Sequence, residues 1–465
     1  MRFISTRGEA PDVGFVDALL DGLAPDGGLY TPEVWPTLTV DEIAGFAGAP
    51  YARVAADILG RFAGEEIAAS VMRDLCEDAY AGFDHAAVAP LVQLAPGRFL
   101  LELFHGPTLA FKDVAMQVLA RLYEHVLARN GRPVIIVCAT SGDTGGAAVA
   151  AFGGRANVRV VALYPEGRIS EVQRRFMTAA AEANVRCVAV AGDFDDCQAI
   201  LKALFDDRAF ADAVGLTAVN SINVARIVAQ CVYYFTAAVA LGAPGRPVVF
   251  AVPTGNFGDA FAGYAARLMG LPIERLVVAT NDNDIVACAL EDGVYARGAT
   301  RVTQSPAMDI QVASNFERLY FECDGRDGAR TAAAFGGFAA AGALDIPPAA
   351  HAAMREVFQG VSVGEAQTAS TILATLDETG ELVDPHTAVA LAGADLAGSG
   401  SRGTPLIVLS TAHPAKFPDA VHAATGVFPT VPLAIQNLMD RQERFDCLPA
   451  DTEAVKAHVR AFIST

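Results

Sequence analysis

The chain has 465 residues, of which 52% are hydrophobic and 19% are charged, and its mean hydropathy is +0.33. A composition this apolar excludes disorder as the dominant state, and the length predicts two or three domains, each with its own core. The formal net charge of −19 excludes a basic nucleic-acid-binding surface over the whole chain. The basic residues include only four lysines, so chemistry that needs a primary amine has four candidates: Lys112, Lys202, Lys416 and Lys456.

The cysteines and histidines give no sign of a metal site or of disulfides. The eight cysteines form no CxxC and the eight histidines form no HxH or HExxH, which favours buried, reduced thiols in a cytosolic protein. The N-terminus has no apolar signal region. The longest apolar or Gly run, 332–344, is shorter than the roughly 20 residues that cross a bilayer. We therefore expect a soluble, cytoplasmic protein with no metal and no membrane partner.

Residues 1–95 are predicted to be mainly helical, and from about residue 95 short β-branched runs alternate with helical patterns. The predicted strands cover 133–138, 158–163, 185–190, 247–252, 275–279 and 405–409. The predicted helices cover 113–129, 144–153, 170–183, 195–207, 222–241 and 259–270. Apolar strands separated by helices predict parallel sheets covered on both faces. In such folds ligands bind where strands end and helices begin.

Lys112 is the lysine whose setting best suits nucleophilic chemistry. It follows the apolar run 109–111 at the start of a predicted helix, where desolvation and the helix dipole both favour the neutral amine. Such an amine suits a Schiff-base lysine. The alternative is an ordinary surface lysine paired with Asp113. Lys416 is the main competitor among the four amines.

The loop 140–146 joins a predicted strand to a predicted helix and presents hydroxyls and amides to an anion. Asp143 within it disfavours phosphate, so a carboxylate held by Ser141 and Thr144, or a phenolic oxygen facing Asp143, fits better. The alternative is helix capping by Ser141 or Asp143.

A second loop, 253–259, carries two glycines between a strand and a helix. Gly255 and Gly258 permit positive φ and a close backbone approach, which makes a nest of amides for a dianion. The loop matches neither a Walker motif nor GxGxxG. A tight strand-to-helix turn with simple capping is an equally good interpretation of this loop alone.

Two further segments offer polar groups. Asn223 and Arg226 lie on one face of a predicted helix start and, with Asn220, make a second anion site whose arginine suits phosphate; a surface capping cluster is the alternative. Ser410 and Thr411 end the last strong strand, where a hydroxyl can meet a ring nitrogen. Together the five segments supply what pyridoxal phosphate and a phosphorylated amino acid require.

At this point the sequence resembles the long form of the threonine synthase family, within the fold-type II pyridoxal-phosphate enzymes. The resemblance spans nearly the whole chain in family order and rests on 5–8, 22–30, 104–113, 141–145, 220–226, 253–259, 384–389 and 411–417. It implies an α/β fold with two parallel-sheet domains and an extra, mostly helical N-terminal region. We expect a helical region 1–95, a large cofactor-binding domain of 96–130 with 245–465, and a smaller domain of 131–244.

The resemblance also implies the reaction and the site. The reaction would convert O-phospho-L-homoserine and water to L-threonine and phosphate, by γ-elimination and then β-addition of water. Lys112 would bind the cofactor and move protons. The implied cofactor-binding set is Lys112, Asp143, Gly255, Asn256, Phe257, Gly258 and Thr411 (or Ser410). The implied substrate-binding set is Ser141, Thr144, Asn220, Asn223 and Arg226.

Two alternatives stay open. One is a threonine or serine dehydratase, which needs no second phosphate site. The other is a non-catalytic homologue that binds a phosphorylated metabolite. We expect a monomer or homodimer.

Overall fold

The computed structural model describes residues 1–140, 142–399 and 403–464. The strands are β1 Phe3–Ser5, β2 Tyr30–Pro32, β3 Leu91–Ala95, β4 Arg98–Glu102, β5 Val134–Ala139, β6 Val158–Pro165, β7 Val185–Ala191, β8 Leu216–Thr217, β9 Val248–Pro253, β10 Ile273–Thr280, β11 Val294–Ala296, β12 Ala343–Asp345, β13 Phe358–Ser362, β14 Leu406–Ser410 and β15 Asp446–Pro449.

The α-helices are α1 Phe15–Asp21, α2 Val40–Ala44, α3 Tyr51–Ala63, α4 Ala69–Tyr80, α5 Lys112–Asn130, α6 Asp143–Phe152, α7 Glu171–Thr178, α8 Phe194–Asp206, α9 Arg208–Val214, α10 Val224–Ala240, α11 Gly258–Leu268, α12 Ile285–Asp292, α13 Phe316–Cys323, α14 Gly328–Ala341, α15 Pro348–Arg355, α16 Glu365–Thr379, α17 Pro385–Leu396, α18 Pro418–Thr425 and α19 Thr452–Ile463. Short 3₁₀ turns occupy Pro306–Met308, Pro414–Lys416 and Leu433–Leu438.

Two parallel sheets organise the chain. The larger has the order β13-β10-β9-β14-β4-β3, and within it only the edge strand β3 is antiparallel to its neighbour. The smaller has the order β15-β7-β6-β5-β8 and is parallel throughout. The central strands are apolar and buried on both faces, because helices cover both sides of each sheet. This is the predicted doubly covered α/β architecture.

The sheets divide the chain differently from the expected boundaries in two places. Strand β3 lies within residues 1–95 but belongs to the larger sheet. Strand β15 pairs in parallel with β7, and α19 packs on the same small sheet, so the C-terminal end does not belong with the rest of 245–465. We propose a division that moves β3 to the large domain and the segment from β15 onward to the small one.

Helix α7 ends at Thr178, well short of the predicted residue 183. The backbone N–H of Arg444 donates to the Thr178 carbonyl, and the Thr178 hydroxyl donates to Glu443. The C-terminal segment therefore occupies the Thr178 carbonyl, which a longer helix would need as a hydrogen-bond acceptor.

Helix α1 of the N-terminal region ends against the small sheet and α10. The carbonyl of Leu19 accepts hydrogen bonds from the Tyr123 hydroxyl at 2.8 Å and from Asn223 Nδ2 at 2.8 Å. The carbonyl of Leu20 accepts one from the Thr217 hydroxyl at 2.6 Å. The last carbonyls of α1 thus hold three buried donors from other parts of the chain.

Within the described residues, no helix has both the length and the apolar character needed to cross a membrane. In the same part of the chain, no cluster of three or more His, Cys, Asp or Glu side chains is placed to hold a metal ion.

A buried glycine fixes how closely α17 packs on β10. A Cβ added to Gly393 would lie 2.6 Å from the Cβ of Ala279, which is closer than carbon atoms pack. We expect Gly393→Ala to cost about 1–3 kcal/mol and to lower the midpoint of thermal unfolding. Gly336→Ala is the matched control, because the exposed Gly336 of α14 has nothing within 4 Å of its added Cβ, and it should stabilise the chain slightly. Equal midpoints for the two variants would contradict this packing.

Candidate active site

A cavity of about 180 Å³ opens where β5, β9 and β14 end. Its walls come from the starts of α5, α6 and α11, from α8 and from the segment before α10. Ten of the predicted site residues line it: Lys112, Asp143, Thr144, Asn220, Arg226, Gly255, Asn256, Phe257, Gly258 and Thr411. Ser141 lies outside the described residues. The cavity lies where the sequence analysis expects ligands to bind, at the junction of strands and helices.

Lys112 is the first residue of α5, and its side chain is 11% exposed. Its Nζ lies 3.4 Å from Oδ2 of Asp143 and 4.8 Å from the centre of the Phe111 ring. Burial lowers the pKa of Lys112, the Asp143 charge opposes this, and the charges of nearby Lys416 and Arg226 lower it further. The net direction is downward, which favours the neutral amine.

Asp113 does not pair with Lys112, so the surface-lysine interpretation is wrong. Both oxygens of Asp113 accept hydrogen bonds from Thr108, one from its backbone N–H and one from its hydroxyl, each at 2.8 Å. The backbone N–H of Phe111 donates to the carbonyl of Thr411 at 2.8 Å. These contacts attach the start of α5 to the end of β14 and direct Lys112 toward the cavity.

Asp143 is buried between two lysines. Its Oδ1 accepts from Lys416 Nζ at 2.7 Å and from Gln173 Nε2 at 3.1 Å, while Oδ2 faces Lys112. Burial alone would raise the pKa of Asp143, but the charges of Lys416 and Lys112 outweigh it and hold the pKa well below its usual range. Asp143 does not cap α6, because the Thr140 hydroxyl accepts from the N–H groups of that turn instead.

The loop 253–258 is shaped for a close backbone approach. Phe257, at the N-cap of α11, has a left-handed φ of 63°, and no side chain caps the amides of this helix. The carbonyl of Asn256 accepts two hydrogen bonds from Asn315, at 3.1 and 3.2 Å, which fix the loop from behind. Uncapped amides at a helix N-terminus bind a dianion such as a phosphate group.

The first turn of α10 contributes Arg226 to the cavity, and the segment before this helix contributes Asn220 but not Asn223. Asn223 caps α10 through Oδ1, and its Nδ2 donates to the carbonyls of Leu19 and Ala218. Its prediction as a substrate ligand is therefore wrong, and the capping alternative describes it correctly. The carbonyl oxygen and the NH₂ group of the Asn223 side chain therefore both form hydrogen bonds within the protein.

Arg226 is 2% exposed, and burial lowers its pKa to about 10. Its Nη1 donates to the carbonyl of Val219 at 3.3 Å, and its Nε has no partner among the described residues. The Arg226 side chain lines the cavity, and a buried guanidinium there is suited to bind an anion.

Thr411 lines the cavity and Ser410 does not. The Ser410 hydroxyl lies 3.1 Å from the hydroxyl of Thr387, which itself donates to Asp384. Ser410 therefore belongs to the network at the start of α17, and Thr411 is the hydroxyl that can meet a ligand.

Comparisons with known proteins agree with this site. Three family profiles match the chain: "Threonine synthase N terminus" over residues 2–80, "Pyridoxal-phosphate dependent enzyme" over 84–411 and "Threonine synthase, C-terminal" over 387–459. A threonine synthase of Pseudomonas aeruginosa is 48% identical, over 99% of this chain and 98% of its own. The chain belongs to the threonine synthase family. Its cofactor is pyridoxal 5'-phosphate and its activity is threonine synthesis with that cofactor.

Solved structures support this placement. A threonine synthase of Brucella melitensis with bound pyridoxal phosphate is 51% identical and has a TM-score of 0.96, with 99% of each chain covered. The yeast threonine synthase is 36% identical, with a TM-score of 0.94, and 100% of this chain and 99% of that one are covered. A tomato threonine deaminase, at 15% identity and a TM-score of 0.51, shares the fold alone.

The residues of this threonine synthase family member fit the cofactor. The α11 amides are free of side-chain caps. A Cβ on Gly255 would lie 2.7 Å from the carbonyl oxygen of Ala307 and 3.0 Å from Met308 Cα, so only glycine keeps this loop in place. Lys112 supplies an amine whose pKa is lowered. These features match a phosphate group at one end of the ligand and a carbonyl carbon at the other.

The sequence reasoning did not assign the roles of three residues in and beside the site. Lys416 is a buried neighbour of Asp143 rather than a rival of Lys112. His386 lines the cavity, and its Nδ1 lies 2.6 Å from a carboxylate oxygen of Asp384. Asp259 accepts hydrogen bonds from Tyr233 and Tyr234, and burial raises its pKa to about 6. All three lie near the end of a strand or the start of a helix, beside loops that the sequence analysis had singled out. That position is the signal from which they could have been found.

Gly255→Ala tests the shape of the loop. The added methyl group must displace the backbone at Ala307, so we expect affinity for pyridoxal phosphate to fall by about tenfold or more while the fold is retained. Cofactor titration followed by absorbance measures this. Gly82→Ala is a control with nothing within 4 Å, and equal affinities in the two variants would contradict the assignment.

Proposed function

We propose that the chain converts O-phospho-L-homoserine and water to L-threonine and phosphate, with Lys112 as the residue that binds the cofactor. The observation that carries the proposal is one cavity lined by the Lys112 amine and by two groups suited to anions. One is the N-terminus of α11, whose amides no side chain caps, and the other is the guanidinium of Arg226. The cofactor phosphate and the substrate phosphate each need one such site.

Lys112 moves the protons in this proposal. When bound, pyridoxal phosphate supplies an electron sink for negative charge at the substrate Cα. Once the substrate had replaced it on the cofactor, the Lys112 amine would take the proton from Cα and give it up to the conjugated system of cofactor and substrate. It would then take a second proton from Cβ before phosphate departed from Cγ. A lysine serves both positions because its stem is flexible. Its lowered pKa makes the neutral, proton-accepting form available.

The remaining residues of the cavity are assigned to holding and orienting the cofactor. The amides of Gly255, Asn256, Phe257 and Gly258 would hold the cofactor phosphate, and the Thr411 hydroxyl would serve the pyridine nitrogen. A neutral hydroxyl there does not require a protonated ring. Asp143 lies beside the Lys112 amine and would serve the cofactor's phenolic oxygen.

Substrate binding is assigned to the remaining cavity residues. Thr144, with Ser141, holds the substrate carboxylate at the start of α6. Asn220 and Arg226 hold the substrate phosphate. Water must add to Cβ only after phosphate has left, so exclusion of bulk water from the cavity during the earlier steps is part of the proposed function.

We also infer a cytoplasmic location and a monomeric or homodimeric state. All eight cysteines are unpaired thiols, as in proteins of reducing compartments. Light scattering of the purified protein measures the oligomeric state.

The test is an assay of purified enzyme with O-phospho-L-homoserine, in which released phosphate and threonine are both measured. We expect equal amounts of the two products. Threonine and serine are tested in parallel as substrates, with ammonia as the readout. Ammonia from threonine without phosphate from phosphohomoserine would overturn the proposal in favour of a dehydratase. A coloured protein that binds phosphohomoserine without turnover would favour a binding homologue.

A further inference from the structure

Lys416 is a second lysine at the site, and the reaction as proposed makes no use of it. It is 1% exposed and ends the 3₁₀ turn Pro414–Lys416. Its Nζ donates to the carbonyl of Thr108 at 2.8 Å and lies 5.1 Å from the centre of the Phe176 ring. Its third contact is with Oδ1 of Asp143 at 2.7 Å, so a buried ammonium is fully engaged beside the cavity.

The two lysines share one carboxylate through opposite oxygens. Lys416 lies 2.7 Å from Oδ1 of Asp143, whereas Lys112 lies 3.4 Å from Oδ2. The tighter and more buried contact is the one that does not involve the reacting amine. An unopposed carboxylate at 3.4 Å would stabilise a positive charge on Lys112, and the charge of Lys416 offsets part of that stabilisation.

Other titratable groups surround this trio, and Asp113 and His413 lie within range of the Lys416 charge. Arg226 of α10 adds a positive charge toward Lys112. Asp259 of α11 adds a carboxyl that faces Lys112, and His386 of α17 faces Asp143. Neither Arg226 nor Asp259 is bonded to Asp143, so Lys416 is the cation that acts most directly on it.

We propose that Lys416 is a positioning residue that holds Asp143 in place as a carboxylate and balances its charge. Asp143 then orients Lys112 without strongly stabilising the protonated form of the Lys112 nitrogen. The proposal rests on the proposed function only in taking Lys112 as the residue that carries the cofactor. It assigns the two lysines different tasks, since Lys112 reacts and Lys416 sets the charge that Lys112 experiences.

The experiment is a pH titration of the holoenzyme, followed by the visible absorbance of the cofactor bound to Lys112. Lys416→Met keeps most of the length of the side chain and removes its charge. We expect the midpoint of the titration to rise by about one pH unit or more, a tenfold change in proton affinity at the Lys112 nitrogen. Lys416→Arg keeps the charge and should restore the midpoint toward the wild-type value.

Lys456→Met is the matched control. Lys456 is a buried lysine with two carboxylate partners, Asp207 and Glu453, and it does not line the cavity. Its loss should lower thermal stability and leave the titration midpoint unchanged. A coloured Lys416→Met variant with the wild-type midpoint would overturn the proposal and make Lys416 a packing residue.

Asp143→Asn keeps the proposal testable where Lys416→Met does not fold or bind cofactor. Without the carboxylate, the charge of Lys416 opposes a positive Lys112 directly, so the midpoint should fall by about one pH unit or more. An unchanged or raised midpoint would contradict the proposed charge balance. A wild-type protein with no visible band would instead overturn the assignment of the cofactor to Lys112, and therefore the proposed function.

Discussion

Lys112→Ala is expected to abolish both the covalent attachment of pyridoxal phosphate and the release of phosphate from O-phospho-L-homoserine. The variant loses the nucleophile and the base together, and we expect turnover to fall by at least about 10³-fold. Absorbance near 410–430 nm, the band of the covalently bound cofactor, and borohydride reduction followed by mass spectrometry measure the attachment. A phosphate assay measures the turnover.

Lys202→Ala is the control for that experiment, because Lys202 is the exposed lysine of α8. It should keep the visible band and the activity of the wild type. A reduced cofactor adduct on Lys202, Lys416 or Lys456 in the wild-type protein would refute the assignment.

Arg226→Gln is expected to lower kcat/KM for O-phospho-L-homoserine by about 10²-fold, while the affinity for pyridoxal phosphate changes little. A charge-assisted hydrogen bond from a buried guanidinium contributes about 1.5–3 kcal/mol, and a loss near the upper end gives this factor. Inhibition by inorganic phosphate should weaken in parallel, since the same donor would hold the free anion. Steady-state kinetics with phosphate as inhibitor provide both measurements.

Arg226→Lys separates charge from geometry at the same position. The ammonium keeps the positive charge but cannot form two parallel hydrogen bonds, so we expect a kcat/KM between those of the wild type and Arg226→Gln. A loss of cofactor affinity larger than the loss of substrate affinity would place the cofactor phosphate, rather than the substrate phosphate, at Arg226.

The fold could be predicted from sequence where apolar strands and helices alternate along the chain. Strands β5, β6, β7, β9, β10 and β14 are buried on both faces, so each appears as a short run of branched apolar residues. Two of the strands that the sequence analysis did not predict, β13 and β15, differ in character. Strand β13 contains glutamine, glycine and serine, and β15 is a largely exposed edge strand. Their partners lie far away in sequence, and no local pattern reveals such pairing.

Candidate site residues could be predicted where they lie together in one stretch of sequence. They could not be predicted where contacts with distant residues decide the position of the side chain. The loop 253–258 carries its glycines and its helix start in one stretch. Asn223, in contrast, is drawn away from the cavity by the carbonyl of Leu19. Lys416 reaches the site only because the fold brings the end of β14 beside the start of α6.

The final turn of α1 gives the N-terminal region a task beyond packing. Its carbonyls accept hydrogen bonds from Tyr123, Thr217 and Asn223, all of which are buried. Shortening the chain to its two sheets would remove these hydrogen bonds, at about 0.5–1.5 kcal/mol each, and with them one of the contacts that hold Asn223 at the start of α10. A minimal catalyst cut from this protein must therefore retain its opening helix or redesign all three donors.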